Sequence, residues 1–259
     1  MMTDYTDMEP APQAYIDALN SGSIVQANHA LKSLFSNQYF PIEVLQESVR
    51  SMSTSIPEIE GVNGCIFASG RINQDTGVRY KKYTRQLAEN GYGLVTIGDT
   101  QAAQYLGSDD EMSPFRRQLM RTLEITGSHL DIDDVEHGFM ANGVREPGIW
   151  DDISRGYAEN ARGAVVTVTP NAKANRVFLQ VELPALLDNE QVESINGVPR
   201  VVVADYFDAI CHGGTDPEAA KLMVNEDVVK LSSIKFMRSL ELPEFSRDLG
   251  LVMAQDFQL

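Results

Sequence analysis

Ile149-Trp150-Asp151-Asp152-Ile153-Ser154-Arg155-Gly156-Tyr157-Ala158-Glu159-Asn160-Ala161-Arg162-Gly163 is the stretch that decides how the rest of the chain is read. Trp150, Ile153, Tyr157, Ala158 and Ala161 recur at the spacing of one helix face, so a helix is expected here. Asp151 and Asp152 suit its positive end, Arg162 its negative end, and Gly163 a left-handed stop. Ala164-Val165-Val166-Thr167-Val168-Thr169 follows as a β-branched strand halted by Pro170-Asn171. Val177-Phe178-Leu179-Gln180-Val181-Glu182-Leu183 reads as a second strand, closed by Pro184. Its alternation puts Val177, Leu179, Val181 and Leu183 on one face and Phe178, Gln180 and Glu182 on the other. A carboxylate in so apolar a segment makes Glu182 the leading site candidate.

Working outward, Arg200 to Tyr206 reads as a third strand, and Ala185 to Gln191 and Pro217 to Val224 as helices. Upstream, residues 1–13 read as a disordered tail. Short amphipathic helices are expected between Gln13 and Phe40, and Pro41 opens another through Val44, Leu45 and Val49. Cys65 to Arg71 is a short buried segment running into a turn, and an amphipathic helix over Val78, Tyr83 and Leu87 follows. Tyr92 to Thr100 is extended, with Asp99 or Thr100 capping a helix from Gln101 to Leu106. Phe115 to Leu123 is a helix with Arg116, Arg117 and Arg121 on its wet side, and Gly127 to Gly148 is a long acidic loop. The fold class expected is a two-lobed α+β or α/β chain. A helical lobe spans residues 14–162, and an α/β lobe with a small, mainly parallel sheet flanked by helices spans 163–259, with a cleft between them.

Composition sets outer bounds. The chain has 259 residues, 43% of them hydrophobic, enough for a sizeable core. A formal charge of −16 argues against non-specific binding to nucleic acid or to an anionic membrane. Cys65 and Cys211 are too few for a disulfide framework and read as reduced, packed thiols. His29, His129, His137 and His212 show no zinc-ligand spacing, so no metal and no resident cofactor is expected. No apolar run is long enough to span a bilayer, and the acidic amino terminus lacks the features of a signal peptide. Cytoplasmic synthesis is the expectation.

Trp150, Ser154, Tyr157-Ala158-Glu159, Ala161 and Val165-Val166 together resemble the ADP-ribosyl cyclase family of NAD glycohydrolases. That family has a tryptophan, a serine four positions later, an aromatic-Ala-Glu run, an alanine at helix spacing, and then a strand. Its catalytic glutamate lies in a strand reading Val-Glu-(Val or Leu), which Val181-Glu182-Leu183 matches. Phe67-Ala68-Ser69-Gly70 and Thr96-Ile97-Gly98-Asp99-Thr100 stand in the order of its aromatic-Ser turn and Thr-Leu-Glu-Asp-Thr segment. The resemblance covers roughly residues 62–205.

By that resemblance Glu182 is the catalytic carboxylate, Trp150 stacks the leaving nicotinamide and Ser154 orients the ribose. Phe67, Ser69, Gly70, Arg71, Asp99, Thr100, Arg145 and Phe178 are substrate-binding candidates, with NAD or NADP as substrate. The bottom-up reading leaves alternatives for each: Trp150 as a core anchor, Thr100 and Asp99 as helix caps, Glu182 as a surface residue. The resemblance departs where the family has glutamate and this chain Gly98, and where the family's second tryptophan falls at Ala68. Two cysteines also cannot supply the disulfides of its eukaryotic members. Disulfide-poor relatives act as bacterial toxin domains that deplete NAD in neighbouring cells, which implies specialised delivery and an immunity protein as partner. Hydrolysis to ADP-ribose is expected ahead of cyclisation or transfer. The alternative is a catalytically degenerate module that binds a nucleotide or a partner protein.

Overall fold

The computed structural model describes residues 9–10, 25, 38–50, 52, 54–55, 64–68, 94–107, 112–142, 144–169, 172–173 and 176–239. In chain order, β1 (Glu9–Pro10) pairs in parallel with β2 (Gln38–Tyr39), and α1 (Ile42–Arg50) follows Pro41. β3 (Gly64–Ala68), β4 (Leu94–Thr96), α2 (Gln101–Leu106), α3 (Pro114–Thr126) and α4 (Ile132–His137) come next. The ribbon of β5 (Phe139–Ala141) and β6 (Val144–Glu146) leads into α5 (Ile149–Glu159) and β7 (Gly163–Val168). A π-helical turn, Phe178–Glu182, opens α6 (Leu183–Asp188), and β8 (Val192–Ile195) turns into β9 (Val198–Pro199). Then come α7 (Arg200–His212), α8 (Pro217–Val224), a second π turn (Asn225–Val229) and α9 (Lys230–Ser239). No helix among the described residues is long and apolar enough to cross a membrane.

The chain divides into two units, residues 1–55 with 98–156 and residues 56–97 with 157–259. In the first, Thr100 caps α2 by accepting from the Ala103 N–H, and Ser113 caps α3, where Pro114 stands at a position whose missing N–H costs nothing. The segment from Gly127 to Gly148, expected as a loop, instead contains α4 and the β5–β6 ribbon. Its acidic residues are what a helix start uses: Asp131 and Asp134 form a reciprocal capping box. Arg116, expected on the wet side of α3, is buried in a bidentate pair with Glu136 of α4, at 2.7 and 2.8 Å. Periodicity alone sorted Arg116 with its neighbours; a buried acid twenty residues later decided otherwise.

The second unit is built on a five-stranded, mainly parallel sheet in the order β4-β3-β7-β8-β9, with only β8 and β9 antiparallel. β3 and β4 thus share a sheet with β7, across the boundary drawn from sequence at residue 163. Two strands expected from sequence are helices. Residues 177–183 lie in the π turn and the start of α6. Val181 is buried, and so are Phe178, Leu179, Glu182, Leu183, Leu186 and Leu187, which recur every four residues; that repeat overrides the alternation of the first seven. The π turn also relieves Pro184, which has no N–H to give to a regular helix.

Arg200 to Tyr206 belongs to α7, where Val203, Phe207 and Ile210 face the core and Val201 and Val202 are each 53% exposed. Strand propensity is a weak prior, and the i, i+4, i+7 apolar set outweighs three consecutive valines. The strand that does lie here is β8, whose signal is the dipeptide after it. Asn196 and Gly197 have φ of 50° and 79°, the two left-handed positions of a tight hairpin, which Asn-Gly favours.

Helices expected at residues 101–106 and 217–224 are present with those bounds, and those expected from Pro41 and around 150 are present with shifted ends. Gly163 adopts the anticipated positive φ, as the first residue of β7. Of the helices expected between Gln13 and Phe40, only Val25, which is helical, and residues 38–40, where Gln38–Tyr39 form β2, are described; the helix expected over residues 78–87 lies outside the described residues. Glu9 and Pro10, inside the segment expected as a tail, are the residues of β1.

Candidate functional site

In the first unit, the amino-terminal turns of α5 carry Trp150 and Ser154. Asp151 fixes this end of the helix: its carboxylate, 2% exposed, accepts from the Gly148 N–H at 2.6 Å and from both arms of Arg145 at 2.8 and 2.9 Å. Arg145 also donates to the His137 carbonyl at 2.9 Å, tying β6 to the end of α4. The guanidinium expected to meet a pyrophosphate is therefore committed to a carboxylate of its own unit. Ser154 is buried, and Trp150 is half-buried, with an indole Nε1 that is shielded and meets no hydrogen-bond partner among the described residues. A buried indole N–H without an acceptor is uncommon. Thr100 is buried as the α2 cap, and the Asp99 carbonyl accepts from the Gln104 side-chain amide at 3.4 Å.

In the second unit, Phe67, Phe178 and Tyr157 lie in one hydrophobic cluster. The Phe67 and Tyr157 rings sit 4.7 Å apart at 44°, so Phe67 packs inward instead of offering a free aromatic face. The Tyr157 hydroxyl donates to the Val95 carbonyl at 2.7 Å and lies 3.4 Å from that of Ile66, bridging β4 and β3. Burial pushes this hydroxyl well above its usual pKa, and the neighbouring Cys65 thiol and Glu182 carboxylate add to the rise. Burial likewise pushes the Cys65 thiol up, as for a packed and unreactive cysteine. Glu182 is thus within electrostatic reach of the Tyr157 hydroxyl, 8% exposed, on a helix and not on the strand expected for it. Ser69, Gly70 and Arg71 lie outside the described residues.

Among the described residues of this unit, Glu193 in β8 is the glutamate carried by a strand. Gly163 pairs with Val192 and Ala164 with Ser194, so the register shifts by one residue and Glu193 stands out of the pairing with β7, in the manner of a β-bulge. Bulges bend a strand and re-aim the side chain they carry, and they recur beside active sites. Val192 before it and Ile195 after it are both buried in the hydrophobic cluster, while Glu193 is exposed. Val192 to Ile195 is short and half polar, so periodicity gives no strand signal for it. Asn196-Gly197 behind it was the available signal.

The strand order reverses between β3 and β7, the arrangement in which parallel sheets open a crevice beyond their carboxyl ends. Phe67 and Ala68 end β3 there. Glu193 is not brought to that place: Ala68 pairs with Val168 whereas Val192 pairs with Gly163, at the other end of β7. Among the described residues no group of three or more His, Cys, Asp or Glu side chains is placed to hold a metal ion. In comparisons with protein-family models, curated proteins and solved structures, nothing matches the chain.

Proposed function

We propose that the chain is an NAD(P) glycohydrolase in which Glu193, in place of Glu182, supplies the negative charge beneath the ribose. The observation that carries the assignment is the bulge in β8. It offers a carboxylate in Val-Glu order, on a strand paired with β7, and open to solvent. The resemblance of Trp150 to Val166 calls for a strand-borne glutamate in that order, and a residue inside α6's leading turn does not meet it. Val192-Glu193-Ser194 departs from the family's pattern at its third position.

The chemistry needs little more than a fixed charge. The C1′–N bond breaks with its electron pair passing to the pyridinium nitrogen, so nicotinamide leaves neutral. The oxocarbenium-like ribose is stabilised by the carboxylate, water adds to C1′, and one proton is released. NAD and water thus give nicotinamide, ADP-ribose and a proton. The biological role proposed is an NAD-depleting toxin or effector, with an immunity protein as partner.

The test follows nicotinamide release from NAD and from NADP by the purified chain, by Glu193→Gln and by Glu182→Gln. The expected result is turnover by the wild type and a loss in kcat of about 100-fold or more for Glu193→Gln, the scale of removing one transition-state charge contact. A loss confined to Glu182→Gln would return the role to the helix-borne residue. Tight NAD binding with no nicotinamide released would make the chain a nucleotide-binding module and end the proposal; the departures at Gly98 and Ala68 motivate that outcome.

A further inference from the structure

Asn196 lies three residues beyond Glu193 and makes more hydrogen bonds than its place in a turn requires. Its backbone N–H donates to the Val165 carbonyl at 2.8 Å, the last rung of the β7–β8 ladder. Its side chain then continues the ladder after the strand has turned away. Oδ1 accepts from the Thr167 N–H at 2.7 Å, and Nδ2 donates to the Thr167 hydroxyl at 2.7 Å and to Ser232 Oγ of α9 at 3.3 Å. Thr167 is fully buried, so its N–H needs an acceptor from within the protein. At the other end of the bulge, the Gly163 N–H donates to the Gln191 carbonyl at 2.9 Å. Glu193 is therefore the slack residue between two fixed points, one before it and one after it.

We infer that Asn196 is a positioning residue whose side chain locks the register of β8 on β7 and so holds the bulge that presents Glu193. The consequence for catalysis rests on the glycohydrolase reading; the consequence for register does not. Side chains alternate along a strand, so absorbing the bulge by a slip of one residue turns Glu193 to the opposite face and brings Ser194 out in its place. The positive φ of Asn196 restricts what can stand there, which makes Gly and Asp the informative replacements. Asn196→Gly keeps the turn and removes every side-chain bond. Asn196→Asp keeps the acceptor for the Thr167 N–H and allows the Thr167 hydroxyl to donate in its turn.

The experiment uses the full chain in two arms. In the first, Glu193→Cys and Ser194→Cys are each placed in a Cys211→Ser background and reacted with a maleimide, with and without Asn196→Gly. The expected result is a thiol at 193 that labels about tenfold more slowly and a thiol at 194 that labels faster once Asn196 is changed, while Asn196→Asp leaves both rates within about twofold. Labelling rates unchanged by Asn196→Gly overturn the inference, whatever happens to melting temperature. In the second arm, Asn196→Gly is expected to lower kcat for nicotinamide release about tenfold, with KM within about twofold, and to have no further effect on Glu193→Gln. An equal loss in both backgrounds also overturns it. A wild type that releases no nicotinamide refutes the glycohydrolase reading, and the labelling arm then decides the register on its own.

Discussion

Replacing Asp151 with Ala should loosen the start of α5 by an amount that the structure sets. The carboxylate is 2% exposed and takes three charge-assisted hydrogen bonds, two from Arg145 and one from the Gly148 N–H. Such bonds are worth about 1.5–3 kcal/mol each when lost singly, but Arg145 is 22% exposed and regains part of its solvation. Loss of negative charge from the first turn adds about 0.3–1 kcal/mol through the helix dipole. The net cost should be about 3–5 kcal/mol, the usual range for breaking a buried ion pair on one side. At about 2–4 °C per kcal/mol for a chain of this size, the midpoint falls by about 6–20 °C. Arg145→Ala strands the same carboxylate and should cost a similar amount. The double change should cost well under the sum, leaving a coupling of about 2 kcal/mol or more. Trp150, the sole tryptophan, is next in sequence to Asp151, so its fluorescence in urea reports this helix directly. Additive single and double changes, or a drop below about 2 °C for Asp151→Ala, would refute the argument that Arg145 serves this carboxylate.

Three further expectations follow from the same kind of contact. Arg116 and Glu136 are 7% and 2% exposed, so Glu136→Leu alone should destabilise by about 3–5 kcal/mol; adding Arg116→Met should recover most of it in a urea titration. Tyr157→Phe removes the donor to the Val95 carbonyl and should cost about 1–3 kcal/mol. Because the folded pKa of Tyr157 is raised, its contribution is complete below the unfolded value of about 10 and is lost as pH climbs through the folded one. Wild type should therefore lose more stability than Tyr157→Phe between pH 10 and pH 11 (about that range), read by denaturant midpoints; equal losses would contradict it. Gly156→Ala drives a Cβ into Thr54 Oγ1, so it should destabilise by about 1–3 kcal/mol, and Thr54→Ala in the same chain should restore most of that in thermal melts.

What was readable along the chain was whatever depends on neighbours in sequence. Thr100 before α2, Asp216 before α8 and Pro41 before α1 are local capping and breaking chemistry, and each stands where the expectation put it. β7 was legible as a strand, and β3 only as a short buried segment, because both are apolar runs buried within a parallel sheet. The candidate site was legible only in part. The helix that bears Trp150 and Ser154 was legible, whereas Glu182 was placed on a strand by an alternation that a longer helical repeat overrules.

Sequence by itself determined the mixed α/β class and several helix ends, because propensity, capping and periodicity act over a few residues. Only the tertiary structure decided that Arg116 and Arg145 are spent on Glu136 and Asp151, that residues 177–183 and 200–206 are helices, and that Glu193 is the bulged residue of a strand. Those outcomes turn on partners distant in sequence. The charge on a guanidinium or the branching of a valine is the same in water as in the core, and what each does is set by the group that burial brings against it.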